Sequence, residues 1–303
     1  SSDVCSSDLG NFAQLRFLGN KIKDTGVQIK FWGVRGSIPS GSPETAGVGG
    51  NTTCVEIRCG DELIIIDTGT GARYLGTSLM KEMPVKGTIL FSHVHWDHIQ
   101  GFPFFAPFFV PGNEFRIFGG SSLPTTVEDI LNQQMTPPFF PVKTDLFGAS
   151  ITYQDVKPGQ VIEGNNYKVT LAHLFHPNGC YAYRIEHEGK ALVFSTDCEH
   201  YEDRPNKNLI EFCQDADALI YDAQYTEDEY YGLNGEFSRK GWGHSTMQEG
   251  VKVAKAANVE KLILFHHDPT HDDNFIKQIE TESRKLFPQS IAAYEGLQID
   301  LSQ

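Results

Sequence analysis

The sequence predicts a single α/β domain assembled from two similarly built halves. Three observations predict it. Short apolar strands recur among helical stretches from Val27 to the C-terminus, and neither a Pro/Gly-rich linker nor a short repeat divides them. Histidine and aspartate residues follow directly after several of the apolar strands, where α/β sheets collect functional groups. The chain of 303 residues is 40% apolar and 21% charged, enough to bury a substantial core and unlike a disordered or disulfide-built chain.

The elements follow in order. Residues 27–32 read as a strand and 34–51 as a loop rich in Gly, Ser and Pro. Residues 53–58 alternate, turn at Gly60-Asp61, and continue into the apolar run 63–66, a hairpin. A helix over 72–80 precedes a strand over 88–91, which runs into Ser92-His93-Val94-His95-Trp96-Asp97-His98. Residues 115–118 form a strand and 126–134 a helix, and Thr136-Pro137-Pro138-Phe139-Phe140-Pro141 is irregular. The second half has strands at 150–154, 167–174, 181–186, 191–195 and 218–221, a helix at 246–257, a strand at 261–265 and a helix at 273–286.

Composition limits the setting. With 25 Lys+Arg against 39 Asp+Glu the formal charge is -14, which disfavours a long nucleic-acid partner. The longest apolar run, Phe102 to Pro111, holds three prolines and is far short of the roughly 20 residues a spanning helix needs, so no membrane partner is expected. Six cysteines without a C-x-x-C pair predict reduced, mostly buried thiols in a cytoplasmic protein. Residues 1–9, SSDVCSSDL, lack an initiator Met and any signal-peptide pattern and resemble the translation of a sequencing adapter. They are set apart as non-native, which leaves a charge of -12; residues 10–26 form an N-terminal extension and 27–303 the functional domain.

His93-x-His95-x-Asp97-His98 places four metal-capable side chains in six residues. Side chains two apart at a strand end point the same way, so His93 and His95 can meet one ion, while Asp97 and His98 can face a second as the chain turns into a helix. Further candidates follow strands: His176, Asp197, and His266 or its neighbour His267. His173 alternates with Leu171 and Leu174 and reads as packed; His187, His200 and His271 read as solvated.

This ordered set, H-x-H-x-D-H, His, Asp, His, resembles the metallo-β-lactamase superfamily over nearly the whole chain from Val27. The resemblance implies a four-layer αββα sandwich and two divalent metal ions, zinc by family habit, with manganese the other candidate. Carried over residue by residue, it puts His93, His95 and His176 on one ion and Asp97, His98 and His266 on the other, with Asp197 bridging. The strand Leu262-Ile263-Leu264-Phe265 before His266 favours it over His267.

Gly243-His244-Ser245-Thr246 before a helix resembles the phosphodiesterase branch of that superfamily, which includes the tRNA 3′-processing endonuclease and phosphodiesterases of cyclic nucleotides and phosphoribosyl cyclic phosphate. There the motif histidine assists the leaving group, a role that suits an imidazole. His244 would be the general acid, oriented by Asp222 at the end of strand 218–221; Asp97 counts with the catalytic set as well as the ligands. The alternative is that His244 belongs to a helix cap. Asp67, after strand 63–66, could fix a histidine ligand or be a turn residue.

The expected reaction is hydrolysis of a small phosphodiester by a hydroxide bridging two ions, attacking phosphorus in line. Arg35 could pair with the phosphate and Asn51 with base or sugar, or both could serve only the loop. Phe102, Phe104, Phe105, Phe108, Phe109, Phe139 and Phe140 either pack as aromatic core or line a nucleobase pocket. A cyclic nucleotide or related cyclic phosphate is the leading substrate class, and a homodimer is compatible with the resemblance. Processing of tRNA 3′ ends and hydrolysis of lactones or thioesters are the alternatives.

Overall fold

The computed structural model describes residues 26–120 and 122–302. The segment 1–9 and the N-terminal extension up to residue 25 lie outside the described residues. In chain order, β1 (Val27–Gly33), β2 (Cys54–Cys59), β3 (Glu62–Ile66), β4 (Lys86–Leu90), β5 (Glu114–Gly119) and β6 (Ser150–Asp155) form one sheet. β7 (Val161–Glu163), β8 (Lys168–Leu174), β9 (Cys180–His187), β10 (Lys190–Ser195), β11 (Ala218–Asp222), β12 (Lys261–Phe265) and β13 (Ser290–Ala292) form the other. β14 (Gln298–Asp300) returns to pair antiparallel with β1, so each sheet has seven strands. The strands from β3 to β6 and from β10 to β13 are parallel.

The helices are α1 (Ala72–Leu79), α2 (Trp96–Ile99), α3 (Val127–Gln134), α4 (Lys207–Phe212), α5 (Glu227–Tyr231), α6 (Met247–Ala256) and α7 (Asp273–Leu286). Alternation along the strands divides the core into layers. Ile64 and Ile66 of β3, Ile220 of β11, and Ile263 and Phe265 of β12 meet between the sheets. Leu63 and Ile65 face α1, while Leu219, Leu262 and Leu264 face α6 and α7. The result is the expected αββα sandwich. Burial on both faces is why these strands read as continuous apolar runs instead of alternating ones.

All the predicted strands and helices are present, with ends within about two residues. β7, β13, β14, α4 and α5 went unread because three to six residues carry too little periodicity. Cys54, Cys59, Cys180, Cys198 and Cys213 are buried and unpaired, and burial pushes the Cys59 thiol up to about 12. No helix among the described residues is long and apolar enough to cross a membrane.

Four histidines depart from expectation. His173 is exposed: it continues the row of Val169 and Leu171 but sits at the end of β8, beside Tyr181 and beyond the inter-sheet core. The three read as solvated are buried. His187 Nδ1 lies 2.6 Å from the Asn166 carbonyl, His200 lies against the Tyr230 ring, and His271 Nε2 lies 2.8 Å from Glu229. Tyr230 and Glu229 belong to α5, a five-residue helix that went unread although Thr226 and Glu229 form a capping box at its start, so the burial of His200 and His271 was not foreseen.

Phe102, Phe105 and Phe108 are core, whereas Phe104, Phe109 and Phe139 are exposed at the surface. Phe108 is fully buried among Phe102, Phe105, Phe115 and Phe147, with ring centroids 4.8, 4.8, 5.2 and 5.1 Å away. Phe108→Ala is expected to lower unfolding free energy by about 3–5 kcal/mol in a denaturant titration. A loss below about 1 kcal/mol would show that this ring cluster does not hold the outer layer.

Candidate metal centre

The strands deliver their functional side chains at one edge. Asp67 follows β3, His93 and His95 lie in the loop after β4, and α2 carries Asp97 and His98. His176 follows β8, Asp197 follows β10, Asp222 ends β11 and His266 follows β12. Asp67, Asp197 and His266 have φ of 58°, 53° and 60°, a left-handed backbone that L residues avoid at about 1–2 kcal/mol each. Three such turns, one after a strand of the first sheet and two after strands of the second, converge on the same end of the sandwich, as strained backbone does at functional sites.

Two donor groups converge. His95 Nδ1 lies 2.9 Å from His93 Nε2 and 3.1 Å from His176 Nε2. His98 Nε2 lies 3.2 Å from His266 Nε2 and 3.3 Å from Asp97 Oδ2, and Asp97 Oδ2 lies 3.2 Å from His266 Nε2. Asp197 spans both groups: Oδ1 is 3.7 Å from His93 and His176, and Oδ2 is 3.3 Å from His98 and His266. A tetrahedral zinc ion with bonds near 2.0–2.1 Å sets its donors roughly 3.3 Å apart, so the second group already has that spacing.

Hydrogen bonds on the outer nitrogens fix the ring orientations. His98 Nδ1 donates to Asp67 at 2.8 Å, His176 Nδ1 to the Gly243 carbonyl at 2.8 Å and His266 Nδ1 to Gln224 Oε1 at 2.8 Å. Each leaves Nε2 unprotonated toward the centre, the arrangement that metal-binding imidazoles require. Asp67 also accepts from the backbone N–H and hydroxyl of Ser92, and Ser37 N–H donates to Asp97 Oδ2 at 2.7 Å. His267 points away, with Nε2 2.9 Å from the Ala293 carbonyl. Gly243, at φ 89°, is needed because a Cβ there would overlap His176 Nδ1.

The charges suit a cation. Burial and neighbouring imidazoles push His93, His95 and His176 below the usual histidine range, which keeps them neutral. Burial opposes ionisation of Asp97 and Asp197, but the facing imidazoles override it and hold both well below the usual carboxylate range. Burial would discharge His98, yet Asp97, Asp197 and Asp67 hold its pKa well above the usual histidine range, so with no ion bound these carboxylates favour a proton on Nε2, which an ion would displace. The donor set therefore fits divalent ions, and its mixture of imidazole and carboxylate without thiolate suits zinc or manganese. Asp67→Asn is expected to weaken zinc binding about 10–100-fold in competition with a chromophoric chelator; unchanged affinity would reduce Asp67 to a turn residue.

His244 stands beside this cluster. Its Nδ1 lies 2.9 Å from Asp222 Oδ2 and 3.8 Å from Asp197 Oδ1. Burial disfavours its charge, but Asp222 prevails and the imidazole is pushed up to about 9. Its place at the sheet edge, not a helix cap, is what the geometry supports: Thr246 caps α6.

Both expected substrate contacts are otherwise engaged. Arg35 is fully buried and donates to the carbonyls of Gly49, Asp268 and His271, tying three loops together. Asn51 donates from its side chain and backbone to Glu295. Sequence reasoning missed Gln224, Ser92 and Glu199. Glu199, almost wholly buried, accepts from Gly241 N–H at 2.6 Å, Gly243 N–H at 3.0 Å and Tyr230 hydroxyl at 2.9 Å, and so fixes the loop before His244. Gln224 could have been noticed two residues after Asp222; Glu199 had no local signal.

Comparison with known proteins bears on the family and the fold. Residues 63–267 match the model of the beta-lactamase superfamily domain. Ribonuclease Z of Methanosarcina acetivorans is 23% identical, with 91% of this chain and 98% of that protein aligned. The metallo-beta-lactamase fold protein YhfI from Bacillus subtilis superposes with a TM-score of 0.66 at 20% identity, covering 91% of this chain and 99% of that one. A diphosphatase from the PhnP family superposes at 0.63 with 18% identity, covering 90% and 97%.

Proposed function

The chain belongs to the beta-lactamase superfamily, and on that premise we propose that it is a metal-dependent phosphodiesterase acting on a small cyclic nucleotide or related cyclic phosphate. The observation that carries this reading is the His244–Asp222 pair, 2.9 Å apart: His244 lies close enough to His176, Asp197 and His266 to join the donors, but its Nδ1 is taken by Asp222. Thioester hydrolysis has less need of such a group, because a thiolate departs as the anion, whereas expulsion of a sugar alkoxide needs a proton.

Bound divalent ions would neutralise the phosphoryl oxygens and lower the pKa of the attacking water. His93, His95 and His176 would hold one, Asp97, His98 and His266 the other, with Asp197 between them. Asp222 accepts from His244 Nδ1, which leaves Nε2 as the atom that gives its proton to the departing sugar oxygen. Ser37 N–H and Gln224 hold Asp97 and His266 in place.

A ribonuclease acting on tRNA ends is the second reading, favoured by relatives named Ribonuclease Z. The excess of 39 acidic over 25 basic residues argues for the smaller substrate, because RNA grip depends on clustered cations. The test supplies zinc- or manganese-loaded protein with bis-p-nitrophenyl phosphate, 2′,3′- and 3′,5′-cyclic mononucleotides, a precursor tRNA and a lactone. Turnover of cyclic mononucleotides is expected. Turnover confined to lactones removes the phosphodiesterase reading, and confinement to precursor tRNA replaces the substrate.

A further inference from the structure

Beside His244 lies a cleft of about 550 Å³, bordered by Ser37, Tyr225, Phe237, Arg239, Trp242 and Thr270, among others. Its size is that of small-ligand sites. Trp242 and Phe237 are 53% and 73% exposed, and their centroids stand 6.3 Å apart, so the two rings form a pair on the surface of the cleft. Trp242 precedes His244 by two residues.

The loop that carries these rings is held firmly. Glu199 accepts from Gly241 and Gly243, and Arg239 N–H and the Ser238 hydroxyl both donate to the Tyr230 carbonyl. The Arg239 guanidinium stacks 5.4 Å over the Tyr225 ring while its Nη1 reaches the half-exposed Glu236 carboxylate at 3.5 Å and the Phe237 carbonyl at 3.3 Å, and Tyr225 meets His244 edge-on at 5.7 Å. A cation, two bare aromatic faces and the candidate acid therefore share one cleft.

We infer that this cleft is a nucleobase platform: the base of a mononucleotide stacks on Trp242 and Phe237 while Arg239 faces its ribose phosphate. Stacking on exposed aromatic side chains tolerates any base, and Arg adds a cationic contribution. The inference rests on the phosphodiesterase reading for the orientation of the phosphate and assigns the substrate's second recognition element. The occupant is a small nucleotide and not an RNA chain, because Arg239 and His244 are the only basic residues lining the cleft among those described, against Asp268 on its rim, too few cations to grip a polyanion.

The experiment is calorimetric titration of metal-loaded wild type, Trp242→Leu and Phe237→Leu with adenosine monophosphate and with ribose 5-phosphate, which lacks the base. Wild type is expected to bind the nucleotide at least about 10-fold more tightly. Each substitution, at a surface ring whose loss leaves the core intact, is expected to reduce that preference by about 5- to 10-fold and leave ribose 5-phosphate unchanged. Equal affinity of wild type for the two ligands, or a preference that survives both substitutions, overturns the platform. Turnover of bis-p-nitrophenyl phosphate, measured on the same wild-type sample, separates the failures. Turnover without base preference leaves the phosphodiesterase reading standing, while base preference without any diester turnover leaves the platform and removes that reading. A short RNA bound more than about 100-fold more tightly than the mononucleotide, and weakened by Trp242→Leu, would overturn the small-nucleotide assignment.

Discussion

His244→Ala is expected to lower kcat on a cyclic mononucleotide by roughly 10²- to 10⁴-fold while changing bis-p-nitrophenyl phosphate turnover by less than about 10-fold. The two substrates differ in what leaves. A sugar alkoxide is too basic to depart unprotonated, whereas p-nitrophenolate is stable as the anion. The imidazolium is placed to protonate the alkoxide, since Asp222, fully buried, takes Nδ1–H at 2.9 Å, which fixes the ring's orientation and holds its pKa up to about 9 so that Nε2 also carries a proton to give. Asp222→Asn is expected to move the alkaline fall in cyclic-nucleotide turnover to lower pH. Its carboxylate raises the His244 pKa, and an acid of lower pKa loses its proton sooner as pH rises. Equal losses on both substrates would show that His244 supports the metal donors instead of protonating the leaving group.

How far the site was legible depended on where each contributor lies in the chain. His93, His95, Asp97 and His98 were readable because six adjacent residues carry four donors, a local pattern with a chemical meaning. His176, Asp197 and His266 were readable through position, each just after an apolar strand. The choice between His266 and His267 turned on a left-handed turn at φ 60° that sends one ring to the centre and the other to the Ala293 carbonyl. No local pattern encodes that turn. Arg35 misled for a related reason: a cation in a Gly-rich loop looks available to phosphate, but three carbonyls from distant segments surround it. Glu199 was silent because Gly243, 44 residues away, meets it only across contacts that the folded sandwich creates, and Gln224, though close to Asp222 in sequence, takes its role from His266, 42 residues on. The fold was read more completely because its strands are buried on both faces, and continuous apolar runs survive without knowledge of neighbours.

Asp197→Gly is expected to have the largest effect on metal content and activity while leaving the fold in place. Among the described residues, Asp197 alone presents one oxygen to each donor group, Oδ1 at 3.7 Å from His93 and His176 and Oδ2 at 3.3 Å from His98 and His266. Without it, three imidazoles face one centre with no negative charge, and the two centres lose their shared donor. Wild type is expected to bind close to two zinc ions per chain by elemental analysis after dialysis, and the variant one or fewer. Transition-state stabilisation by a metal pair is worth several kcal/mol, so losing about 4 kcal/mol corresponds to roughly 10³-fold in diester hydrolysis. Glycine is the informative replacement because φ is 53° at this position, a conformation that glycine adopts freely. Asp197→Ala should remove the same chemistry yet be less stable than the glycine variant by about 1 kcal/mol, the left-handed penalty of a Cβ. If Asp197→Gly retained two ions and activity within about 10-fold of wild type, the carboxylate would not be the bridge. Equal stabilities of the alanine and glycine variants would show that the turn relaxes once the carboxylate is gone, and that the buried imidazoles, not the backbone, enforce it.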